Sequence, residues 1–169
     1  RLITYKRLEV SKFIKISTPP LDSGNIWIEF NNADIIFDFH VKCPFCQTIQ
    51  LMDFGGIKWA GRSKADPKVL KNKKSAWYEC IHCEGHWDDD VRNMAGQHGL
   101  WMDRKKGIEL FTYLEKFRPS NISFHIPAWI SYFVSLSECA AAFLEGLHDP
   151  LKAQDYYNSF AALPYRPKV

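Results

Sequence analysis

The alternation of apolar and polar positions is clearest at residues 35–42. There Ile35, Phe37, Phe39 and Val41 fall on one face, and Ile36, Asp38, His40 and Lys42 on the other. A period of two predicts a half-buried strand. Residues 47–51 are expected to return beside it as the second arm of a hairpin. Ile57-Lys58-Trp59 is expected to add a short strand after Gly55-Gly56, and Ala76 to Glu79 another. Leu100-Trp101-Met102 and the alternating stretch from Asn121 to Ile126 read as further strands, and Phe13-Ile14-Lys15-Ile16 as a strand stopped by Pro19-Pro20. Helical signals lie elsewhere. Asn25 to Phe30 can close one short helix. Asp88 or Asp89 is placed to cap a second one that runs to about Gln97. Ser135 with Glu138 forms a capping box ahead of the stripe Leu136, Ala140, Phe143, Leu144 and Leu147. Asp149-Pro150 starts a last helix reaching about Ala162, and residues 163–167 read as an extended tail. Residues 103–118 fit a helix face or a strand and loop equally well. The expected fold class is α+β.

The strongest chemical signal sits in two of the predicted turns. Cys43-Pro44-Phe45-Cys46 and Cys80-Ile81-His82-Cys83 are separated by 33 residues. Two residues between cysteines let both sulfurs of a tight turn face one ion. Two such turns supply four thiolates, which suits a structural Zn²⁺ with no open coordination position. Buried free thiols and a disulfide framework are the alternatives. A thioredoxin-like redox motif requires a helix N-terminus after the first cysteine, and both pairs lie among strands. His82 and His86 are possible substitute ligands, but solvated loop positions suit them better. The metal-like spacing, with Cys139 left over as a small core residue, fits a reducing compartment.

Composition narrows the function less. The chain has 169 residues, 46% of them apolar, and a net charge of +3. That argues for a folded protein and neither demands nor forbids nucleic acid. No apolar run reaches membrane-spanning length, and no signal segment is visible. The chain opens on Arg1, as a segment of a longer protein would. Lys64, Lys68, Lys71, Lys73 and Lys74 crowd into one insert, where a solvated face is the ordinary reading and a DNA-backbone contact the sharper one. Trp77 and Tyr78 are read as packing for a small metal core before they are read as base-stacking groups. Asp88-Asp89-Asp90 is read as a helix start and not as a second metal site, because adjacent carboxylates do not converge. His125 reads as a hydrogen-bonded core histidine. Ser17 and Thr18, at the end of the first predicted strand, read as a capped turn on local sequence alone.

Taken in order, these anchors resemble the large terminase subunit of lambda-type tailed bacteriophages. They are Phe13 to Pro19, the two cysteine turns, Gly99-Leu100-Trp101, Ser123 to Ile126, and the run from Ser135 to Tyr165. The resemblance implies a central segment of that protein. Residues 1–33 would close a P-loop ATPase domain, 34–103 would form a zinc-ribbon connector with a basic insert, and 104–169 would lead through two helices to a nuclease domain. It also implies that Ser17 and Thr18 couple ATP hydrolysis to motion. The whole relative would be an ATPase and DNA endonuclease using ATP and Mg²⁺. It would act on double-stranded viral DNA with the small terminase subunit and the portal of the prohead, in the host bacterial cytoplasm. This sequence has no phosphate-cradling Gly-rich loop ending in Lys-Ser/Thr and no nuclease motif, so the segment alone is expected to be inactive. Many members of that family carry glycine directly after each cysteine turn, where Gln47 and Glu84 stand here. A free-standing zinc-ribbon module for nucleic acid or protein, and a zinc-stapled nuclease built on His82, His86 and Asp88 to Asp90, are the competing readings.

Overall fold

The computed structural model describes residues 12–167. Its longest strand, β1 (Ile35–Lys42), is the axis of the larger sheet. Strand β2 (Ile49–Leu51) pairs antiparallel with its end, His40 facing Leu51. Strand β6 (Leu100–Asp103) pairs antiparallel with its middle, from Phe37↔Asp103 to His40↔Leu100. Strand β7 (Ile122–Phe124) pairs parallel with its start. Because His40 faces both Leu51 and Leu100, and Phe37 both Asp103 and Phe124, β2 and β7 share one edge and β6 holds the other. A smaller antiparallel sheet has β4 (Trp77–Glu79) between β3 (Ile57–Lys58) and β5 (His86–Trp87). The first cysteine turn joins β1 to β2, and the second joins β4 to β5.

Helices surround the sheets. They are α1 (Asn25–Asn31), α2 (Pro67–Lys73), α3 (Asp89–Gln97), α4 (Leu110–Phe117), α5 (Leu136–Gly146) and α6 (Pro150–Asp155). Their starts follow local chemistry. Asp66, Asp88, Glu109 and Asp149 each accept backbone N–H groups of the first turn. Ser135 and Glu138 complete the capping box of α5. Helix α5 buries Leu136, Cys139, Ala140 and Leu144 against the smaller sheet and in a core shared with the larger one. An aromatic hub fills the space between them. Phe54 lies 5.1 Å from Phe143, 5.3 Å from Tyr156, 5.6 Å from Trp129 and 6.2 Å from Trp59, measured between ring centroids. The Trp129 indole donates to the Met52 carbonyl at 2.9 Å. Residues 34–103 and 104–167 therefore share one sheet and one core.

The strand expected at Phe13–Ile16 does not form. Residues 12–20 are irregular, and Ile14 and Ile16 are 82% and 91% exposed. A strand needs a neighbouring edge to bond, and none stands beside it among the described residues. The last helix also departs from expectation. Its regular part ends at Asp155, and a wider π-type turn covers Tyr156–Phe160. The tail after it is docked. Pro164 is buried, and Arg166 pairs with Asp22 at 2.7 Å. The ambiguous stretch at 103–118 resolves as a tight loop and α4. Both carboxylate oxygens of Asp103 accept loop N–H groups, from Lys105, Lys106 and Ile108. No helix among the described residues is long and apolar enough to cross a membrane.

Candidate metal centre

The two cysteine turns have the same hydrogen-bond pattern. In the first, Cys43 N–H donates to the Thr48 carbonyl and Gln47 N–H to the Cys43 carbonyl, both at 2.9 Å. In the second, Cys80 N–H donates to the Gly85 carbonyl and Glu84 N–H to the Cys80 carbonyl, both at 3.0 Å. This loop requires a left-handed residue directly after the second cysteine. Gln47 has φ 63° and Glu84 φ 57°. Those are the positions where the resembled family often has glycine, the residue that enters this region without a Cβ penalty. Backbone N–H groups of Cys46 and His82 point at the sulfurs of Cys43 and Cys80, at 3.5 and 3.4 Å. Gly85 permits close approach of the two turns, since a Cβ there would lie 2.6 Å from the Phe45 ring.

The four sulfurs converge. Cys43 Sγ is 3.7 Å from Cys83 Sγ, Cys46 Sγ is 3.8 Å from Cys80 Sγ, and all four lie within 4.8 Å of one another. Four thiolates about 2.3 Å from a central Zn²⁺ stand about 3.8 Å apart at tetrahedral angles. A disulfide requires about 2.05 Å, and all five cysteines are free thiols. The donor set and its spacing therefore fit a tetrahedral sulfur-ligated ion. Protons on such a group titrate unequally. Hydrogen bonds from Thr48 pull the Cys46 thiol down to about 6. At Cys83 the Gly85 amide lowers the pKa, but desolvation and the other three sulfurs outweigh it and raise it to about 12. Cys139 is elsewhere in the core, and burial raises its thiol to about 12, so it is inert.

Several neighbours were not legible in the sequence. On β2, Ile49 and Leu51 face solvent while Gln50 is buried, an inversion of the usual parity. Gln50 Oε1 accepts the Ile81 N–H at 3.1 Å and so bridges the two turns. A polar residue at an inward strand position was the available signal. Asp38, on the nominally polar face of β1, is also buried. Arg104 donates to both of its oxygens at 2.7 Å, and His125 Nδ1 stands 3.8 Å from Oδ1. Desolvation raises the Asp38 pKa, but the hydrogen bond and charge of Arg104 outweigh it and hold it below the usual carboxylate range.

Other candidates do not join the cysteine group. His82 is exposed, and His86 pairs with Glu79 at 3.2 Å against the Trp77 ring. Asp88 caps α3, whereas Asp89 accepts from Arg92 and from the Leu136 N–H, so these carboxylates are spent on helix ends. Tyr78 is fully buried in the core. His125 Nε2–H donates to the Ala161 carbonyl at 2.9 Å, as a core histidine would. Ser17 and Thr18 are exposed, and Ser17 Oγ donates only to the Thr18 carbonyl. Lys64, Lys68, Lys71, Lys73 and Lys74 are all exposed on α2 and its flanks, and α2 itself is fastened to α5 through buried Leu70.

No curated protein and no solved structure matches the chain. A family model does match, described as phage terminase large subunit gpA, ATPase domain, over residues 1–101. The matched region includes both cysteine turns and ends on β6. With well over half its length covered by that model, the chain belongs to the phage terminase large subunit gpA family.

Proposed function

We propose that this chain is the part of an ATP-driven viral DNA-packaging motor that couples its ATPase to its nuclease, and that a structural Zn²⁺ on Cys43, Cys46, Cys80 and Cys83 holds it rigid. One observation carries the reading. Four thiols from two separate hairpins meet within 4.8 Å inside a region matched by the terminase ATPase-domain model. An ion held by four thiolates supplies a closed cross-link with no position for an activated water. The chain's own residues do the rest. Cys43 and Cys46 close the β1–β2 hairpin, and Cys80 and Cys83 close β4–β5. Gln50 bridges the turns, and the shared core ties both sheets to α5. Between β1 and α5 a displacement would then be carried by packed core and not absorbed by loose loops. In this reading Ser17 and Thr18 couple the γ-phosphate state to that displacement.

The full-length protein would use ATP and Mg²⁺, cut and translocate double-stranded viral DNA, and work with the small terminase subunit and the prohead portal in the host bacterial cytoplasm. Elemental analysis of purified chain tests the metal, with about one zinc expected per chain. Chelation should abolish helix and sheet signal together. Thr18→Ala in the full-length protein tests the coupling, and hydrolysis that continues while packaging stalls is the expected result. Metal-free chain that keeps its fold, or normal packaging by the variant, counts against the respective half.

A further inference from the structure

Uncommitted chemistry concentrates in a cleft between α2 and the loop at residues 131–134. Residues 61–75 hold six cations, Arg62 and the five lysines, against one carboxylate, Asp66. That is a net +5 in a chain whose total is +3, so the remainder is net negative at −2. Among the described residues none of these six cations is in a salt bridge. The fold sorts them, because Lys71 and Lys74 line the cleft and Lys64, Lys68 and Lys73 do not.

Phe133, 96% exposed, lines the same cleft. A large aromatic ring with almost no protein contact is unusual unless something covers it. Its backbone is held in place. Buried Arg92 donates to the Trp129 carbonyl at 2.7 Å and to the Val134 carbonyl at 2.9 Å, on either side of the ring. Ser131 Oγ accepts the Phe133 N–H at 3.2 Å. Tyr132 leans on α3, its ring 3.3 Å from where a Cβ on Gly96 would stand. The carboxylates in the cleft are mostly engaged. Asp89 serves Arg92 and Leu136, and Glu138 serves Ser135 while the charges of Lys71 and Lys74 help to hold its pKa down, which leaves Asp90 without a hydrogen-bond partner among the described residues.

We propose that this cleft binds a nucleic-acid strand, with backbone phosphates on Lys71 and Lys74 and an unstacked base on Phe133. Cations and an exposed ring on a fixed loop match the two demands of a strand with bases out of the duplex. The inference rests on the reading that the protein handles DNA, and it names the surface that would do so.

Fluorescence anisotropy on the zinc-loaded chain tests it, using a labelled DNA duplex, either blunt or with a single-stranded overhang, across a salt series. Lys71→Ala with Lys74→Ala should lower the slope of log affinity against log salt for the overhang DNA by about 1.4. Lys64→Ala, outside the cleft, should leave the slope unchanged. Phe133→Ala should weaken overhang binding by about fivefold or more and blunt binding by less than about twofold. The ring touches almost nothing, so thermal melting of that variant should match the parent and exclude a folding defect. An unchanged slope in the double variant, or equal binding of the overhang by Phe133→Ala and parent, overturns the proposal. Either result in chain that retains its zinc leaves the connector reading standing.

Discussion

Arg92 offers a sharp test of how this fold is held. Its side chain is 1% exposed, yet it carries a charge in the core. It donates to two backbone carbonyls, Trp129 at 2.7 Å and Val134 at 2.9 Å, to Asp89 at 3.1 Å and to Asn93 at 2.8 Å. Asp89 in turn accepts the Leu136 N–H at 2.8 Å at the start of α5. One guanidinium therefore ties α3 to the aromatic loop and, through Asp89, to the central helix. Arg92→Met keeps the length and the apolar stem and removes every donor. It would orphan two carbonyls, each costing about 1–3 kcal/mol, and would leave Asp89 without its counter-charge. Removing one partner of a buried pair typically costs about 3–5 kcal/mol, and the same total is expected here. Small domains hold about 5–15 kcal/mol in all, so the shift should be large. Urea unfolding of zinc-loaded protein, followed by circular dichroism, reads it as a fall in midpoint at constant slope. Asp90→Ala, on the exposed side of the same turn, should move stability by no more than about 0.5 kcal/mol. A loss below about 1 kcal/mol for Arg92→Met would refute the reasoning and show that packing, not this network, fixes the loop.

Three further outcomes are expected from the geometry. Glu84→Gly removes a Cβ from a left-handed position and should raise the melting temperature by the equivalent of about 0.5–1 kcal/mol, whereas Glu84→Val should lower it. Cys80→Ser should cut the zinc content of purified chain and the resistance of β3–β5 amides to hydrogen exchange, while Cys139→Ser leaves the zinc content unchanged. Burial lowers the pKa of His125 from 6.5, the contributions of Ala161 and Asp38 notwithstanding. The unfolded chain then binds that proton first. Stability should fall as pH drops through about 6.5 towards the folded value, and His125→Gln should flatten that part of a pH–stability curve.

Local chemistry is written plainly in the chain. Asp88 caps α3, Ser135 and Glu138 box α5, and Asp149-Pro150 opens α6, because caps depend on residues two or three apart. The period-two run at 35–42 forms β1, and the spacing within each cysteine pair sets each turn. Positions 103–118 are ambiguous in the sequence because Asp103 acts through loop N–H groups whose path it does not show. The Phe13–Ile16 strand rests on propensity alone. Its residues suit a strand, but a ladder needs a second edge, and that is a property of the surroundings.

Residue order thus determined the starts of α3, α5 and α6, the main strand, the sulfur donors and the family. Tertiary structure decided everything that depends on which distant groups meet. It brought Gln50 to Ile81, Asp38 to Arg104, Arg92 to the loop beside Phe133, and only two of five lysines to the cleft. Such pairings join residues 31 to 66 positions apart, beyond the reach of any helical or strand period. They exist because burying a polar group without a partner is costly, so the folded chain must find each one a mate wherever the packing happens to bring it.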